Sequence, residues 1–254
     1  MRLIDSVHLV GSGRLGFGLT DDCDSHVYAV DGGGEIALID AGGGRATGRI
    51  IEHLVMDGLD PARVRSIVLT HAHGDHAAGV SSMRAALAEI AGTPPRVIAS
   101  RDCAPWIEQG DESAVSLIQA RAAGVYPADF VFPACPVDRA VFGGDRIGVG
   151  DLTLRAVETP GHARGHLSFL MATASRVCLF AGDALFFGGR VALQNIWDCS
   201  PTESAASIER LHALEWDAFF PGHLSFSVRD GHRHADAAME AIRRLGMPPP
   251  LIPA

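Results

Sequence analysis

Residues 71 to 76 read His71-Ala72-His73-Gly74-Asp75-His76, placing three imidazoles and a carboxylate in six positions. The run directly follows Ser66-Ile67-Val68-Leu69-Thr70, a short apolar stretch whose composition predicts a buried strand. Any fold the chain adopts must therefore crowd four such groups where a strand ends. Neutral imidazole and carboxylate are the ligands that borderline divalent ions such as zinc prefer, so metal binding is the strongest reason for the arrangement. The bland alternative is a solvated loop that happens to be rich in histidine, and the later ligand-like positions count against it.

Two strand sets, each followed by helices, are expected along the chain. The first set covers residues 7–10, 26–30 and 35–40, with Asp31-Gly32-Gly33-Gly34 as a hairpin turn. A helix is expected over residues 45–59, then the strand 67–70, a helix over 79–90 and a strand over 96–99. Residues 112–123 read as a helix, 139–149 and 152–159 as strands, and 167–172 with 176–181 as a hairpin. A helix over 202–214, a short strand over 218–220, a helix over 231–245 and an extended tail through Pro248-Pro249-Pro250 complete the pattern. There is no internal repeat and no linker-like shift in composition, so one domain over residues 1–254 is expected. Two sheets packed face to face with helices outside would bury both apolar patterns.

With 47% hydrophobic and 20% charged residues, 254 residues can bury a sizeable core. A formal net charge of −9 and the lack of any basic run argue against a nucleic-acid partner. No stretch is long and apolar enough to cross a membrane, and the amino terminus has no apolar core of leader length. The five cysteines, Cys23, Cys103, Cys135, Cys178 and Cys199, are scattered and form no C-x-x-C pair, as expected of free thiols in a cytoplasmic protein. Gly11-Ser12-Gly13-Arg14-Leu15-Gly16 matches a dinucleotide fingerprint, but a loop and another strand follow it where that site needs a helix to open.

Four ligands from one loop cannot all reach one tetrahedral ion, so two ions with further ligands from elsewhere are expected. His162 in Thr159-Pro160-Gly161-His162-Ala163-Arg164-Gly165-His166, Asp183 after Gly182, and His223 in Phe220-Pro221-Gly222-His223 have the right chemistry, each in a Gly- or Pro-shaped turn beyond a strand.

In this order, H-x-H-x-D-H, T-P-G-H-x-x-G-H, G-D and G-H resemble the pattern of the metallo-β-lactamase superfamily over about residues 7–223. The resemblance implies an α/β fold of four layers, an αβ/βα sandwich, with the site at the edge where the two sheets meet. It implies that His71, His73 and His162 bind a first ion, that Asp75, His76 and His223 bind a second, and that Asp183 bridges them. Two zinc ions per chain are implied, with iron or manganese as substitutes. The family's buried Asp after a strand corresponds to Asp40, which reads equally as an acceptor for a ligand imidazole and as a turn or cap residue. His166 reads equally as packing and as support for the ligand set. The other histidines, His8, His26, His53, His212, His232 and His234, carry no motif.

The function implied is hydrolysis of a small ester, thioester or lactone. Two cations about 3.5–4 Å apart share a water and lower its pKa from about 15.7 toward 7, giving a hydroxide that attacks a carbonyl carbon. Asp75 is a ligand first, with a catalytic role in orienting that hydroxide or carrying a proton to the leaving group. Leu185-Phe186-Phe187-Gly188-Gly189-Arg190 is similar to the matching stretch of hydroxyacylglutathione hydrolases (glyoxalase II), which have further basic carboxy-terminal helices. The chain stops at Ala254 without them, which weakens the expectation of a glutathione thioester. The alternative is a mononuclear iron oxygenase acting on a persulfide, which uses part of the same ligand set. A small-molecule substrate is the expected partner, and a homodimer is compatible with the sequence. Trp106, Tyr126, Phe130 and Phe132 are candidates to line an apolar pocket, although core packing is the commoner fate of such residues.

Overall fold

Alternation of apolar side chains on strands whose two faces are both covered builds this molecule. In the strand Val27–Asp31, Val27 and Ala29 point to one buried cluster while Tyr28 and Val30 point to another. In Ile36–Ile39, Ile36 and Leu38 separate from Ala37 and Ile39 in the same way. Strands buried on both faces read as continuous apolar runs, and these do.

The computed structural model describes residues 1–251. The first sheet contains β1 (Arg2–Ile4), β2 (Val7–Gly11), β3 (Val27–Asp31), β4 (Ile36–Ile39), β5 (Val64–Val68), β6 (Arg96–Ser100) and β7 (Arg139–Val141), paired in chain order. The second contains β8 (Arg146–Val149), β9 (Leu152–Glu158), β10 (Leu167–Ala172), β11 (Val177–Gly182) and β12 (Ala218–Pro221), in the order β12-β11-β10-β9-β8. Helices α1 (Thr47–Met56), α2 (Gly74–Ala77), α3 (Val80–Ala91), α4 (Ala104–Gln109) and α5 (Leu117–Ala122) follow strands of the first sheet. Helices α6 (Pro201–His212) and α7 (Arg233–Arg243) flank β12.

Three apolar layers result. Ile50, Leu54, Val80, Met83 and Leu87 of α1 and α3 cover the outer face of the first sheet. Phe169, Phe180 and Phe220 of the second sheet meet Leu9, Tyr28 and Ile39 of the first between the sheets. Ile208 and Leu211 of α6 and Ala235, Ala238 and Met239 of α7 cover Leu170 and Leu179 on the far side. The expected helix–sheet–sheet–helix sandwich is the one found.

This topology places the candidate residues. Strands β4, β5 and β6 run parallel, and β9 runs with β11 and β12, because β10 is antiparallel to both β9 and β11 and β12 is parallel to β11. Their carboxyl ends lead to Asp40, His71, His162, Asp183 and His223.

Several expectations are corrected. The run 139–149 is not one strand. Phe142-Gly143-Gly144-Asp145 turns the chain, so β7 closes the first sheet and β8 opens the second. In the segment 112–123 only Leu117–Ala122 is α-helical, because Ser116 before it is left-handed at φ 57°. Gly74–Ala77, read as loop from the sequence, forms α2, while Ala104–Gln109 and Arg2–Ile4, left unassigned there, form α4 and β1. Phe130 and Phe132 are buried in the first core rather than lining a pocket.

Phe180 is enclosed by Tyr28 and Phe220, with ring centroids at 5.7 and 5.3 Å. Phe180→Ala is expected to lower the unfolding free energy by about 3–5 kcal/mol in a denaturant titration. A loss below about 1 kcal/mol would contradict the packing described here.

Candidate metal centre

The seven sequence-derived side chains come together at one edge of the sandwich. His71, His73 and His162 place one ligand atom each within 4.8 Å of the others, as do His71, His76 and Asp183, and Asp75, His76 and His223. Asp183 stands among these sets. Its Oδ1 lies 3.3 Å from His76 Nε2, and its Oδ2 lies 3.5 Å from both His162 Nε2 and His223 Nε2.

In four of the imidazoles, an oxygen outside the cluster takes the proton of the nitrogen that faces away. His76 Nδ1 donates to Asp40 Oδ2 at 2.8 Å. His162 Nδ1 donates to the Ala192 carbonyl at 2.9 Å, and His73 Nε2 donates to Asp198 Oδ2 at 3.1 Å. Thr70 Oγ1 donates to Asp40 Oδ2 at 2.9 Å, so His71 Nδ1 donates to Thr70 Oγ1 at 3.0 Å. Such partners fix the tautomer and turn the other nitrogen's lone pair inward.

Those lone pairs then have nothing to meet. His73 Nδ1 and His162 Nε2 face each other at 2.9 Å. In these tautomers no hydrogen lies between them, and a cation placed between them would relieve the repulsion. His71 Nε2, His76 Nε2 and Asp183 Oδ1 are buried with no hydrogen-bond partner. Leaving such an atom unsatisfied costs about 1–3 kcal/mol. Among the described residues the other such atom is His26 Nδ1, which faces Gly16 rather than the cluster. The donor set fits a divalent metal.

Local backbone explains how the turns aim these groups. Asp40 sits at φ 63° just beyond β4 and accepts from the Thr70 N–H at 2.7 Å as well as from His76, which decides in favour of the imidazole-acceptor reading. Gly182 sits at φ 51°, and a Cβ there would lie 2.6 Å from His166 Nε2. A Cβ on Gly222 would lie 2.2 Å from Asp183 Oδ1. His166 is a support: its Nε2 accepts from the Asp183 N–H at 3.0 Å, and its Nδ1 donates to Thr159 Oγ1 at 2.8 Å. After Gly16 the chain continues as loop to β3, so no dinucleotide-type helix opens there.

Sequence reasoning missed Asp198, His26 and the contact of Tyr126. Asp198 is buried and divides its carboxylate between His73 and Ser116, whose Oγ donates to Oδ1 at 2.9 Å. No spacing signal marks it, because it lies in irregular chain 125 residues from its partner. His26 packs 6.4 Å from the His223 ring and donates to the Leu224 carbonyl. Tyr126 donates to Asp75 Oδ1 at 2.7 Å.

The family described as the metallo-beta-lactamase superfamily matches residues 20–223. The chain belongs to the metallo-beta-lactamase superfamily. Within reach of it, a hydroxyacylglutathione hydrolase of Hydrogenovibrio crunogenus is 32% identical over 158 residues, covering 62% of this chain and 44% of that one. The chain spans about half the length of the curated relatives it matches. Among solved superfamily structures, BJP-1, a subclass B3 metallo-beta-lactamase of Bradyrhizobium japonicum, has a TM-score of 0.70 at 25% identity, covering 96% of this chain and 92% of that one. A metallo-beta-lactamase of Cronobacter sakazakii reaches 0.71 at 22% identity, covering 96% of each chain, and this likeness shows the fold.

Electrostatics divide the cluster. Burial holds His71 well below the usual imidazole range and lowers His162 to about 4, so both are neutral at pH 7. Burial also opposes charge on His76 and His223, but Asp183 and Asp75, with Asp40 beside His76, more than offset it and raise both rings. Asp183 is pushed up by burial and down further by His223, His76 and His162, so it stays ionised. A proton on a raised imidazole competes with a metal ion. Metal uptake that engages His76 and His223 is therefore expected to release protons near neutral pH, whereas His71 and His162 have few to release. Acidification is expected to weaken metal binding through His76 and His223 first. Calorimetric titrations in buffers of different ionisation enthalpy, repeated from pH 8 to 5, check this. Metal uptake at pH 7 without proton release would contradict it.

Proposed function

We propose that this chain is a dinuclear metal-dependent hydrolase of a small ester, thioester or lactone. In this reading His71, His73 and His162 hold one ion, Asp75, His76 and His223 hold the other, and Asp183 bridges. The observation that carries it is the set of inward lone pairs, above all the 2.9 Å approach of His73 Nδ1 to His162 Nε2. Two divalent ions, zinc by the N and O donor set, would supply a water activated near neutral pH and polarise the substrate carbonyl.

The chain's own residues supply the rest. Asp40, Thr70, Asp198 and the Ala192 carbonyl hold the imidazoles in one orientation, so little reorganisation is left for the moment of reaction. Asp75 turns Oδ2 to within 3.0 Å of His223 Nε2 as a ligand first, and its carboxylate would also orient the attacking water or carry a proton to the leaving group. A thiol nucleophile has no support. Burial pushes Cys103 and Cys178 up to about 12 and Cys23 up to about 11, and it raises Cys135 and Cys199 as well.

A screen of esters, thioesters, lactones and β-lactams, run before and after chelation, tests the reading. Hydrolysis is expected to vanish on chelation and return with added zinc. Asp183→Asn is expected to cost more than the about 10–100-fold typical of an outer partner of a ligand. Undiminished hydrolysis after complete metal removal would contradict the proposal. Oxygen consumption with a persulfide by protein holding one iron would replace it with the oxygenase.

A further inference from the structure

We propose that Tyr126 is a positioning residue for Asp75, holding one carboxylate oxygen so that the other faces His223 and His76. This rests on the reading of Asp75 as a metal ligand.

The phenol is 51 residues from Asp75 in sequence and reaches it from the segment between α5 and β7. Tyr126 Oη donates to Asp75 Oδ1 at 2.7 Å, and the Asp75 N–H donates back to Oη at 3.3 Å. Oδ2 is left 3.0 Å from His223 Nε2 and 3.7 Å from His76 Nε2. Asp75 lies in the four-residue helix α2, and its carboxylate would otherwise be free to rotate and to present both oxygens.

The phenol itself is held in place. Its ring stacks on Phe130, with centroids 4.5 Å apart and planes at 22°. Phe130 is buried in the first core. The stack lies against the backbone of Gly74, where a Cβ would come 2.9 Å from Phe130 Cε1 and 3.5 Å from Tyr126 Cζ. From outside, the Arg14 guanidinium donates to the Val125 carbonyl at 3.2 Å, and Arg45 pairs with Asp129 at 3.2 Å. Thus an irregular segment between α5 and β7 sets the orientation of the Asp75 carboxylate.

Tyr126→Phe removes the hydroxyl and keeps the ring and its stack. Ion-free protein is titrated with cobalt(II), following the visible absorption of each step, and the same is done for the wild type. The step assigned to the Asp75, His76 and His223 set is expected to weaken about 10–100-fold in the variant, with the other step unchanged. Superimposable titrations, or equal weakening of both steps, would overturn the proposal. A wild type that takes up a single ion would overturn the two-ion reading. In that case a 10–100-fold loss for that ion in Tyr126→Phe would uphold the role of the phenol, and an unchanged affinity would overturn it as well.

Discussion

Electron pairs held in a buried space against their mutual repulsion are the constraint on which the rest depends. Asp198 fixes the proton of His73 on one side and the Ala192 carbonyl fixes that of His162 on the other, so two acceptor nitrogens are driven to face each other. Asp40 and Thr70 do the same to His76 and His71. Each outer hydrogen bond is an ordinary one. Together they leave Nε2 of His71 and His76 and Oδ1 of Asp183 buried and unpaired, an arrangement that positive charge at their centre would stabilise.

The sandwich makes this arrangement rigid. Parallel pairing of β4 with β5 and of β11 with β12 sends successive strand ends to one edge. The apolar layer between the sheets, with Phe169, Phe180 and Phe220 at its centre, sets how the two groups of ends approach. Close turns do the aiming. Gly182 leaves room for His166, and Gly222 leaves room for Asp183, so a larger residue at 182 would displace a support of the cluster and one at 222 a group of the cluster itself. Backbone at positive φ also occurs beside the cluster, at Asp40, Gly161, Gly182 and Leu224, where side chains must be placed accurately.

Local pattern made the strands and the seven clustered residues legible from sequence. Short apolar runs followed closely by Asp or His in turns shaped by Gly or Pro mark β4, β5, β9, β11 and β12 and the residues that follow them. What stayed hidden depends on contacts between distant parts of the chain. Asp198 has no signature, since it acts only through His73 and Ser116. The run from Arg139 to Val149 looks like one strand because a turn through Gly143-Gly144 is a local break, whereas the choice of two different sheets is made by tertiary pairing. Residues 112–123 look helical throughout, but Ser116 takes a left-handed backbone and its hydroxyl bonds Asp198. Tyr126 was legible as an aromatic near the site and not as a donor to Asp75, because side-chain reach from an irregular segment leaves no period in the sequence.

Anomalous X-ray diffraction at the zinc edge from crystals of zinc-loaded protein tests the central claim most directly. The account expects two peaks, one among His71, His73 and His162 and one among Asp75, His76 and His223, with Asp183 contacting both. No peak at this edge of the sandwich, or zinc bound only elsewhere on the molecule, would contradict it.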